Sequence, residues 1–213
     1  MSLRIDVRKL ELFNRISKEG SRTVADSLST LTGLDAEIAI SKINFLDLAD
    51  VKTHLGGERA VGIYVQLTEP PHGYVLFLLD PADSKELAGQ MVPGGPSDGQ
   101  GFSDIERSAM QEVGNILTSG YIDGWANVLQ TTIDMSTPTF TVGPTHQIVE
   151  EMGGWPDEEI VFVLDSQIVT DHADVDLTVY TFPELRSLVD LVQDIDLDTD
   201  VEEDTVADEG SIP

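Results

Sequence analysis

Residues 102–130, FSDIERSAMQEVGNILTSGYIDGWANVLQ, decide how the rest of the chain is read. Ser103-Asp104-Ile105-Glu106 is a capping box, in which a hydroxyl residue and a glutamate three places on satisfy each other's free backbone donors. A helix therefore starts here. At 100° per residue, Phe102, Ile105, Ala109, Val113, Ile116 and Gly120 gather on one side, with Leu117, Gly124 and Val128 beside them, which predicts the buried face. Ser108, Glu112, Asn115, Ser119 and Ile122 form a separate ridge. Glu112 and Asn115 are three apart, so their side chains point the same way.

Before this helix, residues 93–101 (PGGPSDGQG) form a linker by composition. They lack the lysine and hydroxyl residue that close a phosphate loop. Further upstream, apolar or small residues at Leu10, Phe13, Ile16, Gly20, Val24, Leu28 and Leu31 step by three or four, which predicts a helix over 7–32 ended by Gly33. Residues 36–46, 59–67 and 73–79 are rich in Val, Ile, Tyr and Leu and read as strands, and Asp80-Pro81-Ala82-Asp83 announces a short helix over 84–91. Downstream, 131–142, 159–169 and 175–182 read as strands, and 183–192 as a short helix with Pro at its first turn.

The order of long helix, three strands and short helix thus occurs twice, over about 4–92 and 102–192, an internal duplication. Neither half has enough strands to close a core. The expectation is a single α/β (α+β) domain over 1–192, with pseudo-two-fold halves sharing one mixed sheet under two long helices. Residues 193–213 are an acidic stretch, expected to be disordered.

A net charge of −27, from 39 Asp and Glu against 12 Lys and Arg, argues against nucleic-acid and anionic-membrane partners, which need basic patches. No apolar run approaches the ~20 residues of a membrane span, no signal segment is evident and there are no cysteines, so a cytoplasmic location is expected. One physical reading of the charge is adaptation to concentrated salt. The other is an ordinary acidic protein with solvated faces.

Several sites are considered and set aside. Asp194, Asp196, Asp198 and Asp200 alternate as in a calcium loop, but Thr199 and Thr205 stand where Gly and Glu are required. His54, His72, His146 and His172 are scattered, so no metal site is expected. No G-x-S-x-G is present to support a nucleophilic serine. What remains is the ridge from Ser108 to Ser119, which carries a single charge in a very acidic chain. A solvated helix face is the plain reading, whereas a weakly charged ridge around one carboxylate and one amide suits docking.

Glu112-Val113-Gly114-Asn115-Ile116, on a capped helix in a duplicated unit, resembles the E-x-x-N motif of the CheC, CheX and FliY phosphatases of chemotaxis. The resemblance implies a hydrolase acting on the aspartyl phosphate of the response regulator CheY. Asn115 would orient the attacking water and Glu112 would pair with a cation on the regulator. The regulator would bring its own magnesium, so no cofactor of the chain's own is implied. In the first half, aligning the glycine-containing stretch places Arg15 and Lys18 where Glu and Asn should stand. A second register exists one turn earlier, at Glu11 and Asn14. The resemblance further implies CheD as a partner through the helix at 183–192, with Pro183, Leu185 and Leu188, while the weakly charged ridge itself puts Ser108 and Ser119 at the docking face. The rival is a non-catalytic adaptor linking CheY, CheD or the motility switch, and a third reading is an acidic binding domain unrelated to chemotaxis.

The salt-adaptation reading has a direct test. Raising KCl from dilute buffer to about 1 M, where the Debye length falls to about 3 Å, should raise the melting temperature, and calorimetry across the series measures it.

Overall fold

The computed structural model describes residues 7–33, 35–97, 99, 101–153, 160–170 and 177–195. A single 3₁₀ turn, Val7–Lys9, leads into α1 (Leu10–Thr32), followed by β1 (Ala36–Asp47), α2 (Leu48–Leu55), β2 (Arg59–Leu67), β3 (Gly73–Leu79) and α3 (Pro81–Met91). The second half repeats this order as α4 (Asp104–Leu129), β4 (Thr139–Pro144), α5 (Thr145–Met152), β5 (Ile160–Thr170), β6 (Leu177–Pro183) and α6 (Leu185–Asp194). The α/β class and the duplication are as expected. Three elements depart from the expectation: the short helices α2 and α5 lie where only connections between strands are expected, and β4 begins later than 131.

Each of these short helices has only two turns, too few to give a clear period against flanking strands. Their local signal is the four-residue spacing of Val51 and Leu55 and of Ile148 and Met152, all buried. A glycine with positive φ follows each, Gly56 at 79° and Gly153 at 62°.

The strands form one six-stranded sheet in the order β1-β5-β6-β3-β2-β4. Every described ladder is antiparallel, which corrects the expected mixed sheet. The first strand of each half crosses to the other half, and each such pair runs antiparallel. β1 pairs with β5 and β4 pairs with β2. Exchanging the two halves reverses the row and leaves it unchanged, so the pseudo-two-fold axis passes between β3 and β6.

Both faces of the sheet are covered. Val61, Ile63, Val65 and Leu67 of β2 and Val75, Phe77 and Leu79 of β3 join the main core with α1, α3, α4 and α6. Tyr74, Leu76 and Leu78 face the opposite way, against Val51 and Leu55 of α2 and Ile148, Val149 and Met152 of α5. Burial on two sides explains why β2 and β3 read as continuous apolar runs rather than alternating ones.

Helices α1 and α4 lie against each other in opposite directions, and small residues set their separation. A Cβ on Gly124 would fall 2.9 Å from the backbone carbon of Glu19 and 3.0 Å from the Cα of Gly20. One on Gly20 would fall 2.7 Å from the Tyr121 ring. The Tyr121 hydroxyl reaches Thr181 on β6 at 2.6 Å, and Ser21 on α1 donates to Ser166 on β5 at 2.7 Å. Both bonds are buried, and they fix the helix pair over the sheet.

The α4 N-terminus is anchored through Glu106, which is buried. Its carboxylate accepts from the Ser97 and Ser103 backbone amides at 2.8 and 2.7 Å and from both serine hydroxyls at 2.9 Å. The Ser103 hydroxyl in turn accepts from the Glu106 amide, completing the capping box. The Ser97 amide, then the Ser103 amide, and then the two hydroxyls hold the Glu106 acid at about 2, against an ordinary value near 4.5.

Two expectations follow from this packing. Gly124→Ala should cost about 1–3 kcal/mol by denaturant titration, because the added methyl meets backbone that cannot move aside. Glu106 has a depressed acidity constant in the folded state, so its contribution is fully present above about pH 4.5 and is lost as pH falls toward about 2. Glu106→Gln should therefore destabilise the protein by on the order of 1–3 kcal/mol at neutral pH and flatten the stability profile across that acid range.

Candidate functional site

Helix α4 packs against α1 on one flank and against the sheet on another, so it carries two apolar flanks. This is why its inward face is displaced from the predicted one. The buried residues include Met110, Val113, Leu117, Tyr121, Ile122, Trp125, Val128 and Leu129. Ile122, placed on the outer ridge from sequence, is buried, and Ile105, placed inside, is 64% exposed. The miss has a physical origin: Met110, Tyr121, Trp125 and Leu129 add a second apolar flank, and a helix with two such flanks gives no sharp phase.

The outer ridge itself runs Ile105, Ser108, Glu112 and Asn115, all exposed, then Ser119, half-buried. The Ser108 hydroxyl donates to the Asp104 carbonyl at 3.0 Å. Glu112 and Asn115 are separated by about 4.5 Å along the axis, from the rise of 1.5 Å per residue. The backbone beneath them is held firmly. Gly114 sits so close to β2 that a Cβ there would lie 2.3 Å from Ile63 Cγ2, and the Thr118 hydroxyl donates to the Gly114 carbonyl at 2.6 Å. One exposed carboxylate and one exposed amide thus project from a segment whose other side is locked.

The first-half candidates stand on the corresponding surface of α1. Glu11, Asn14, Arg15 and Lys18 are all exposed, and the Asn14 amide donates to Glu11 at 3.4 Å. The fold relates the two halves by a common offset. The left-handed C-caps Gly33 and Gln130, the ends of α2 and α5 at Leu55 and Met152, and the caps Gly56 and Gly153 share one separation of 97 positions (33 to 130, 55 to 152, 56 to 153). Carried along the helices, that separation matches Arg15 with Glu112 and Lys18 with Asn115. Glu11 and Asn14 match Ser108 and Gln111, a turn away.

The remaining partner candidates divide. Pro183 and Leu188 are buried, Leu188 with no exposed surface, so neither side chain offers a contact to a partner. The resemblance places a partner on this segment by position alone, and position does not say which side chains the sheet takes; Pro183 ends β6 and Leu188 faces the core. Leu185 is half-buried and lines an apolar recess of about 310 Å³ with Leu10, Phe13, Phe45, Phe162 and Val189. Among the described residues no group of three or more His, Asp or Glu could hold a metal, and no helix is long and apolar enough to cross a membrane. The alternating acids from Asp196 to Asp200 and His172 lie outside the described residues.

Residues 105–142, which contain the whole ridge, match the model of the CheC-like family. A Halobacterium salinarum protein named "Putative CheY-P phosphatase CheC1" is 43% identical over 195 residues, covering 92% of this chain and all of that protein. The crystal structure of Thermotoga maritima FliY superposes with a TM-score of 0.67 at 18% identity, covering 90% of this chain and 97% of that one. A chain from the Helicobacter pylori FliG–FliM complex superposes with a TM-score of 0.61 at 15% identity, covering 89% of this chain and 100% of that one. These two structures speak for the fold alone. By its extended identity to the halobacterial protein, on top of the shared duplicated fold, the chain belongs to the CheC-like family.

Proposed function

We propose that this chain is a chemotaxis phosphatase that hydrolyses the aspartyl phosphate of a CheY-like response regulator, with Asn115 positioning the attacking water. The observation that carries the reading is the pairing of exposed Glu112 and Asn115, one turn apart, on a helix segment pinned from behind by Gly114 against Ile63. The name of the halobacterial relative supports the substrate class.

In this reading α4 lies against the regulator's phosphorylation site. An amide is suited to hold water because it both donates and accepts, so Asn115 fixes the oxygen in line with phosphorus without removing its proton outright. Attack forms the new P–O bond as the bond to the regulator's aspartate breaks, releasing inorganic phosphate and the free carboxylate. Magnesium, brought by the regulator rather than held by this chain, would balance the phosphoryl charge, as in other phosphoryl transfers. Glu112 contributes by pairing with a cation of the regulator. Ile105, exposed two turns before Glu112 on the same line, supplies apolar contact at the edge of the docked surface. The first half has Arg15 and Lys18 at the matching positions, neither of which can position water in this way, so one working site per chain is the expectation. CheD, if it docks, does so around the Leu185 recess rather than through Pro183 or Leu188.

The test is the dephosphorylation rate of the cognate regulator in molar KCl. Asn115→Ala should lower the rate constant by about 10²-fold, the loss associated with a misplaced reactant, with unchanged melting temperature. Glu112→Ala should mainly raise the regulator concentration needed for half-maximal rate. Equal rates for wild type and Asn115→Ala would leave only the non-catalytic adaptor.

A further inference from the structure

Helix α4 carries one cation, Arg107, and it is exposed. In a chain with 39 Asp and Glu against 12 Lys and Arg, an exposed arginine has carboxylates to choose from. Among the described residues Arg107 makes no ion pair, although Asp104 stands three positions before it and Glu112 five after. The adjacent Glu106 carboxylate is taken up by Ser97 and Ser103. The Arg107 guanidinium lies instead over the Phe140 ring on β4, 5.3 Å from the centroid. Phe102 meets the same ring edge-on at 5.2 Å, which holds the ring in place. A guanidinium resting on an aromatic face is restrained there while the N–H donors around its rim stay available. This arginine is pre-ordered for a planar acceptor that the chain does not supply.

Its position relative to the α4 ridge says where that acceptor stands. At 100° per residue, Gln111 and Arg107 fall about 40° and 80° to one side of Asn115, and Glu112 falls about 60° to the other. A surface laid on Asn115 therefore meets a cation on one flank and an acid on the other, about 7.5 Å apart along the axis. Opposite signs on the two flanks define one orientation. Turned end for end, a partner would bring its acid to Glu112 and its base to Arg107. The acceptor is not the phosphoryl group. Arg107 lies about 12 Å along the axis from Asn115, and side chains on a helix lean toward its N-terminus, which takes the guanidinium further away. A surface carboxylate is the planar acceptor that two guanidinium N–H groups match.

We propose that Arg107, seated on Phe140, fixes the orientation of the docked regulator by pairing with a surface carboxylate beside its phosphorylation site, while Glu112 takes a cation on the opposite flank. This rests on the regulator being the partner of the α4 ridge and adds the acid that the regulator must present. The role is in docking: Arg107 contacts neither the attacking water nor the phosphoryl group. The pair also offsets, at one point, the repulsion that a chain of net charge −27 exerts on an acidic surface.

The test separates binding from chemistry. Affinity is measured for the cognate regulator carrying beryllofluoride in place of the phosphoryl group, in about 1 M KCl, where a Debye length of about 3 Å leaves mainly contact effects. Arg107→Ala should weaken binding about tenfold, the loss of one charge-assisted pair, with the dephosphorylation rate constant at saturating regulator unchanged. Asn115→Ala should do the reverse. Arg107→Lys keeps the charge without the planar fork and should stay about threefold weaker than wild type. Phe140→Leu, which removes the seat, should fall between wild type and Arg107→Ala. Arg186→Ala, the same charge change at an exposed site on α6, should leave affinity within about twofold. Unchanged affinity for Arg107→Ala, at an unaltered melting temperature, would overturn the proposal. So would full rescue by lysine, or an equal loss from Arg186→Ala, which would make net charge the cause. If Asn115→Ala hydrolyses as fast as wild type, the phosphatase reading fails, and the effect of Arg107→Ala on affinity still decides the docking.

Discussion

The exchange of first strands between the two halves is the constraint on which the architecture depends. Among the described residues β1 is an edge strand paired with β5, and β4 is the other edge, paired with β2. Neither half owns a complete sheet, so the core becomes apolar on both faces only when the halves combine. The duplication is therefore a single cooperative unit rather than two tandem modules. The long helices then have one place to lie, side by side over the central strands β3 and β6, at a distance set by Gly20 and Gly124.

That arrangement gives the α4 ridge its character. A solvent-facing pair on a loosely packed helix would wander by side-chain and backbone motion alike. Here the turn carrying Glu112 and Asn115 is pressed against Ile63 by the missing side chain of Gly114, and the helix start is moored by the fully satisfied Glu106. Rigidity behind and freedom in front is what positioning of a water requires. The symmetric ridge on α1 has opposite chemistry, two cations where α4 has an acid and an amide, and Ser17 in the place of Gly114. Duplication has kept the geometry and let the outward residues part.

Much of this was legible in the sequence, and the reasons differ by element. The capping box at Ser103 to Glu106 is local chemistry, so it located the start of α4. The strands β2 and β3 announced themselves as continuous apolar runs bounded by turn residues. The outward placement of Glu112 and Asn115 came from their polarity, although the inward face was misphased at Ile105 and Ile122, because α4 touches both a helix and a sheet. The short helices α2 and α5 escaped notice since two turns leave little periodicity. Pairing direction could not be read at all: it depends on a crossing of strands between distant segments, which no local pattern encodes. The choice between Glu11–Asn14 and Arg15–Lys18 as the counterpart pair likewise needed the fixed caps at Gly33 and Gln130.

The strand exchange has a consequence for how the polypeptide is made. β1, Ala36–Asp47, emerges early from the ribosome, yet its partner β5 begins at Ile160. At about 5–20 residues per second, the interval is on the order of ten seconds. Throughout it, a twelve-residue strand has no ladder to join. Synthesis in a crowded cell thus places an unpaired edge at risk of associating with neighbours, and the charges of Glu37, Lys42 and Asp47 spaced along it are the kind of residue that keeps such an edge from sticking while it waits.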